Sequence, residues 1–189
     1  MIFRETRLPG VHVVELDRRP DHRGWFARAW CAREFAEHGL VPVAAQVNLA
    51  WNRVRGTVRG VHFQFPPHGE SKLVRVHRGA ILDVAVDLRP ESPTFLSHVA
   101  VELDATSGRA LYLPPRFGHA YQALTDDTEM GYMASVPYAP GFDGGLSPFD
   151  PDLGIRWPVD VTEVSAKDRE ARPLGEQLEE LRRRMSVAP

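Results

Sequence analysis

The sequence predicts an all-β fold, a sandwich or barrel with short peripheral helices. Three observations carry that prediction. Short runs of alternating apolar and polar residues dominate the chain, turn-forming clusters separate them at close spacing, and helical patterns do not alternate with the runs.

The series opens with VHVVEL (Val11–Leu16). ILDVAVDL follows, with Leu82, Val84, Val86 and Leu88 on one face and Asp83, Ala85 and Asp87 on the other. HVAVEL alternates Val99, Val101 and Leu103 against His98, Ala100 and Glu102. RALYLPP, HAYQALT and EMGYMAS continue the pattern. Arg78-Gly79, the Arg89–Pro93 stretch, Ser107-Gly108, Pro114-Pro115 and Asp126-Asp127 mark the turns.

Helix is predicted at two places. CAREFAEHGL (Cys31–Leu40) is a short candidate ending at Gly39. LGEQLEELRRRM (Leu174–Met185) puts Leu174, Leu178, Leu181 and Met185 on one stripe, with Glu179 and Arg183 as an i,i+4 pair opposite. Such a terminal helix packs on the β core or serves a contact between subunits. The stretch Tyr138–Pro158, rich in Gly, Pro and Asp, reads as a long loop that Phe149, Ile155 and Trp157 pin to the body. With no repeat or linker, residues 1–189 read as one domain.

Composition narrows the function. The chain has 189 residues, 25% charged, with a formal net charge of -2, so it lacks the basic excess of a general nucleic-acid or membrane-surface binder. No stretch approaches the ~20 apolar residues of a membrane span. The first residues, MIFRETRLPG, lack the apolar run of a secretory signal, and a lone cysteine excludes an internal disulfide, so the expected location is the cytoplasm. Cys31 lies among apolar residues and reads as a buried structural thiol.

Chemistry-bearing residues cluster in four places. In VRGVHFQ, strand parity sends His62 and Gln64 one way and Val61, Phe63 and Phe65 the other, and Gly60 is placed to carry a bulge. Alone, a histidine there is more often a surface or hydrogen-bonded core residue. PPRFGHAYQ adds His119 after a rigid proline pair, and MGYMAS adds Tyr132, which taken alone is a buried tyrosine with a hydroxyl partner. SAKD (Ser165–Asp168) is by spacing a helix N-cap or a solvated charge pair.

These blocks, in order, resemble the dTDP-4-dehydrorhamnose 3,5-epimerase family of nucleotide-sugar isomerases. The resemblance runs from about Arg23 to Asp168 and is carried by DHRGWF, QVN, VRGVHFQ, PPHGESKLVRVHRGAILDVAVDLRPESPTF, LYLPPRFGHAYQAL, YMASVPYAP, DPDLGIRWP and SAKD. It implies a jelly roll of the cupin type, a strand-exchanging homodimer, and a nucleoside-diphosphate 4-keto-6-deoxyhexose as substrate, dTDP-linked in the family. It also implies catalysis without metal or other cofactor. Metal-binding cupins use a His-x-His pair, and here that pair is His62-Phe63-Gln64, an amide in the second position, which suits a transition metal less well.

By the same resemblance, His62 matches the base that removes a proton next to the ketone, and Asp168 the carboxylate that holds it. Lys72 matches the cation at the enolate oxygen, and Tyr132 the acid on the opposite face. His119 lines the sugar pocket. Arg59 and Arg23 match diphosphate contacts, Arg23 from the partner subunit, while Gln46, Asn48 and Tyr138 match positions at the nucleotide.

The chain departs from the family at its periphery. Arg19 stands for an aromatic residue, Arg28 for a glutamate and Glu70 for a glutamine, and LAWNRVRG (Leu49–Gly56) replaces a serine-rich stretch. These departures predict an unusual or modified sugar nucleotide and inversion at C3, C5 or both. Three other readings remain: a ketoisomerase moving the carbonyl between C3 and C4, a metal-dependent cupin oxygenase, and a non-catalytic sugar-nucleotide binder.

Overall fold

The structure, a computed structural model, describes residues 1–186. The chain opens with β1 (Ile2–Glu5) and β2 (His12–Glu15), then a small hairpin of β3 (Arg19–Asp21) and β4 (Gly24–Phe26), and α1 (Ala32–Glu37). Next come β5 (Gln46–Asn52), β6 (Val58–Gln64), β7 (Lys72–Arg78), β8 (Ala80–Asp87) and β9 (His98–Asp104). β10 (Ala110–Leu113), β11 (Phe117–Ala123), β12 (Thr128–Ala134) and β13 (Asp143–Gly145) complete the strands, followed by α2 (Ala166–Arg169) and α3 (Leu174–Met185).

The strands form two larger antiparallel sheets, ordered β1-β2-β10-β7-β12-β5 and β13-β6-β11-β8-β9, with β3-β4 as a separate pair. The two sheets face each other across a core of Val74, Val76, Leu111, Met130, Ile81, Leu103 and Phe117. A second apolar layer lies on the far side of the five-stranded sheet. There Val61, Phe63 and Phe65 of the β6 region and Leu82, Val84 and Val86 of β8 pack under Leu174, Leu181 and Met185 of α3. Each of those helix side chains is buried, which contributes about 1.5–3 kcal/mol apiece. A third cluster, around Phe35 of α1, Leu73 and Tyr112, covers part of the outer face of the six-stranded sheet.

This layering explains β8. Its even-numbered side chains face α3 and its odd-numbered ones face the other sheet, so the strand is buried on both faces and Asp83 and Asp87 are inside. Asp87 is satisfied by Arg89, Ser92 and Thr94.

Two expectations need correction. The stretch Tyr138–Pro158 is not wholly loop, because β13 within it pairs with β6. Ile155 and Trp157 pack against the layer under α3 as expected, whereas Phe149 is exposed, and the deep anchors are Leu146 and Leu153, since the pairing of β13 turns Leu146 into that layer. Cys31 is only partly buried, because it sits at the N-cap of α1, where its carbonyl accepts the Phe35 N–H.

Candidate active site

A cavity of about 940 Å³ opens between the two larger sheets. One wall is β6 and β11, which bring Arg59, His62, Gln64 and His119; the other is β5, β7 and β12, which bring Asn48, Lys72 and Tyr132.

Local backbone sets the β6 wall. Register across β6 and β11 pairs His62 with His119, then Arg59 with Tyr121, so Gly60 and Val61 together oppose one residue. This bulge shifts the parity of the strand and puts Arg59, three residues from His62, on the cavity side as well. The position requires glycine. Gly60 has φ +113, and a Cβ there would meet the His119 carbonyl oxygen at 2.5 Å.

Asp168 reaches the same wall from far along the chain. Val164 forms a parallel bridge with Val58 at the start of β6, and Ser165 caps α2 by accepting the Asp168 N–H. Of the two readings of SAKD by spacing, the helix N-cap holds and the solvated charge pair does not, because Asp168 is buried while Lys167 pairs with Asp143. Asp168 Oδ1 lies 2.6 Å from His62 Nε2, and Oδ2 accepts the Gly60 N–H at 3.2 Å. Burial by itself would raise the Asp168 pKa, but the bonds from His62, Gly60 and Ser165 outweigh it and leave the carboxyl below its ordinary value. A carboxylate only accepts, so Nε2 carries the proton toward it and Nδ1 keeps its lone pair. The His62 side chain is 44% exposed, while Asp168 is 4% exposed.

On the opposite wall, Tyr132 is set on β12 between Asn48 of β5 and Val74 of β7. Burial raises its pKa, the negative charge of Glu70 raises it further, and a contact with Asn48 opposes them. Lys72 Nζ lies 3.0 Å from Glu70 Oε1 and 5.4 Å from the Tyr132 ring centroid.

His119 completes the lining. It is buried and bonds Asp83 at 2.7 Å, with its ring centroid 6.4 Å from that of Tyr132. Asp83 is the site-linked residue that sequence reasoning passed over. Its spacing carried no separate signal, because Asp87 stands on the same face of β8 in the same alternation.

The remaining expected residues divide. Arg59 is anchored by Asn52 Oδ1 at 3.0 Å and the Trp51 carbonyl, and Tyr138 stands at the cavity mouth. Gln46 supports rather than lines the cavity, donating to Asn48 Oδ1 and accepting the Tyr138 N–H. Arg23 is not brought to this cavity; it sits exposed at the β3–β4 turn, paired with Asp21. Arg28 is likewise engaged elsewhere, with Glu34, whose pKa the N-terminal amine and Arg28 hold at about 2. Arg19 is exposed on β3.

The fit to a metal is poor. Gln64 spends its amide on the backbone of His68, Pro137 and Ala139. Among the described residues, no group of three or more His, Cys, Asp or Glu is placed to hold an ion.

The family model for dTDP-4-dehydrorhamnose 3,5-epimerase matches residues 5–176. A dTDP-4-dehydrorhamnose 3,5-epimerase from Methanothermobacter thermautotrophicus is 39% identical over 178 residues, covering 92% of this chain and 95% of its own. A dTDP-4-dehydrorhamnose 3-epimerase from Streptomyces niveus is also 39% identical, over 93% of this chain and 85% of its own. Among solved structures, NovW, a 4-keto-6-deoxy sugar epimerase from Streptomyces spheroides, superposes with a TM-score of 0.90 at 38% identity, covering 96% of this chain and 92% of its own. The fold is a jelly roll of the cupin type, and the family match and named relatives make the chain an isomerase-class enzyme. The chain belongs to the dTDP-4-dehydrorhamnose 3,5-epimerase family.

Proposed function

We propose that this protein is a cofactor-independent epimerase of a nucleoside-diphosphate 4-keto-6-deoxyhexose, inverting C3, C5 or both. One observation carries the reading: an imidazole held by a buried carboxylate stands on one wall of the cavity, with a tyrosine and an ammonium on the other.

The steps follow from that layout. His62 Nδ1 takes the proton from the carbon beside the ketone, and the C–H electron pair moves to the C4 oxygen as an enolate. Asp168 stabilises the imidazolium that forms. Lys72 donates to the enolate oxygen, an interaction stronger with the enolate than with the ketone. Tyr132 then delivers its proton to the opposite face of the same carbon, and solvent restores both groups. His119 borders the sugar, Arg59 meets the diphosphate, and Asn48, with Gln46 behind it, and Tyr138 serve the nucleotide.

Relatives named for double and for single epimerisation stand at the same 39% identity, so overall similarity does not choose the number of centres. Arg19 and Arg28, in place of the family's aromatic and acidic residues, favour an unusual substrate. The natural unit is a homodimer. What supports this is β5, an edge strand whose outward Val47, Leu49 and Trp51 are exposed, together with exposed Trp25 and Phe26 on the β3–β4 hairpin. In such a dimer the hairpin carries Arg23 to the partner's cavity. No helix among the described residues is long and apolar enough to cross a membrane, and the reading places the enzyme in the cytoplasm as one domain.

The test is deuterium exchange. Incubation in D2O with dTDP-4-keto-6-deoxyglucose should label C3, C5 or both by NMR, and the label should vanish in His62→Ala. Absence of exchange in wild type with every 4-keto sugar nucleotide tried would falsify the reading. Sedimentation of Leu49→Asp, expected to be monomeric, tests the dimer.

A further inference from the structure

Glu70 and Lys72 form an ion pair that lines the cavity, their side chains 14% and 8% exposed. The backbone between them is pinned. Ser71 N–H donates to Ser135 Oγ at 2.8 Å, and Ser135 N–H donates back to the Ser71 carbonyl at 3.0 Å. Lys72 itself is registered between Ala134 of β12 and Leu113 of β10. The pair is thus fixed to the strand that carries Tyr132, and the ammonium stands within cation–π reach of that ring.

We propose that Glu70 is a positioning residue: its carboxylate fixes the Lys72 ammonium beside Tyr132. This rests on the epimerase reading above. Lys72 carries a compact charge on a flexible four-carbon stem, and a cavity of this size leaves it room to swing. One of its three N–H donors goes to Glu70, which aims the other two at the space where a ketone oxygen would sit. The arrangement has a cost. A carboxylate close to the ammonium weakens the field that the developing enolate feels.

Other charged and titratable groups face Tyr132 and bear on its ionisation. From β11 come His119, with Asp83 of β8 behind it, and Tyr121. From β6 come Arg59 and His62, the latter held by Asp168 of α2. Burial is the largest influence raising the Tyr132 pKa, and Glu70 is the charge that adds to it.

The experiment compares Glu70→Gln and Glu70→Ala with wild type. Tyrosinate absorbance, with Tyr132→Phe subtracted, reads Tyr132 directly and needs no substrate. In Glu70→Gln, which keeps the shape and an acceptor for Lys72, this transition should move to lower pH. The alkaline limb of its inversion rate should move with it. In Glu70→Ala, kcat should fall about tenfold with KM within about threefold, because the lysine is released while binding groups stay. An unmoved Tyr132 transition in Glu70→Gln, or wild-type kcat in Glu70→Ala, overturns the proposal. Loss of all exchange in every form, wild type included, instead sinks the epimerase reading, and the tyrosinate titration still decides the role of Glu70. Should Glu70→Ala fail to fold, Glu70→Gln alone carries the test.

Discussion

Two histidine–aspartate pairs stand side by side at the cavity, at 2.6 Å for His62–Asp168 and 2.7 Å for His119–Asp83, on strand positions registered directly opposite one another. Bond length does not distinguish them; surroundings do. Asp168 has both oxygens occupied, by His62 and the Gly60 N–H, and its histidine is 44% exposed. Asp83 is fully buried, its Oδ2 has no partner among the described residues, and His119 is 7% exposed. The first pair presents a free ring nitrogen to the cavity. The second is a buried wedge that shapes the wall, and its carboxylate depends on a single neighbour. On the proposed reading, the pair assigned the base is the one whose histidine is open to the cavity.

Substitutions can break or sharpen this contrast. The largest effect is expected for His62→Ala, which should lower deuterium exchange by about 10³-fold or more, whereas His119→Ala should retain measurable exchange with a raised KM. Comparable loss from both would erase the distinction. Tyr132→Phe should cost inversion about 10²-fold and exchange far less, because abstraction does not need the acid. Asp168→Asn keeps a side chain of the same shape and removes the charge, so exchange should fall about 10²-fold. Asp83→Ala should act in the other currency, lowering stability by about 1–3 kcal/mol in urea unfolding by leaving a buried histidine unpaired. Retained stability in that variant would mean that the second pair is not structural.

The smallest effect is in acid. Asp168 has a lowered pKa when folded, so it contributes stability above its ordinary value of 3.8, and that contribution is lost as pH falls through the lower folded value. The stability gap between wild type and Asp168→Asn should therefore narrow below about pH 4, followed by thermal melts across that range.

Much of this was legible before any coordinates. Strand parity placed His62 and Gln64 away from Phe63 and Phe65, and the structure puts the former on the cavity and the latter under α3. The stripe of Leu174, Leu178, Leu181 and Met185 matches α3 and its packed face. Asp83 was not legible, because alternation on β8 looks like one core face and one polar face. A strand sandwiched between a sheet and a helix layer shows the same pattern when its inward acid has a partner on another strand. Leu146 and Leu153 were hidden for a related reason: in a Gly- and Pro-rich stretch, single leucines carry no period. The position of Arg23 depends on how the β3–β4 hairpin leaves the body, and neither composition nor periodicity encodes that direction.

The bond between Asp168 and His62 spans 106 residues. During synthesis the histidine, the lysine and the tyrosine all leave the ribosome before the carboxylate does. A growing chain can assemble both sheets while its imidazole is still free to take either tautomer. On the proposed reading, the carboxylate that fixes the imidazole is therefore supplied last, when the turn at Ser165 docks on the bulged strand.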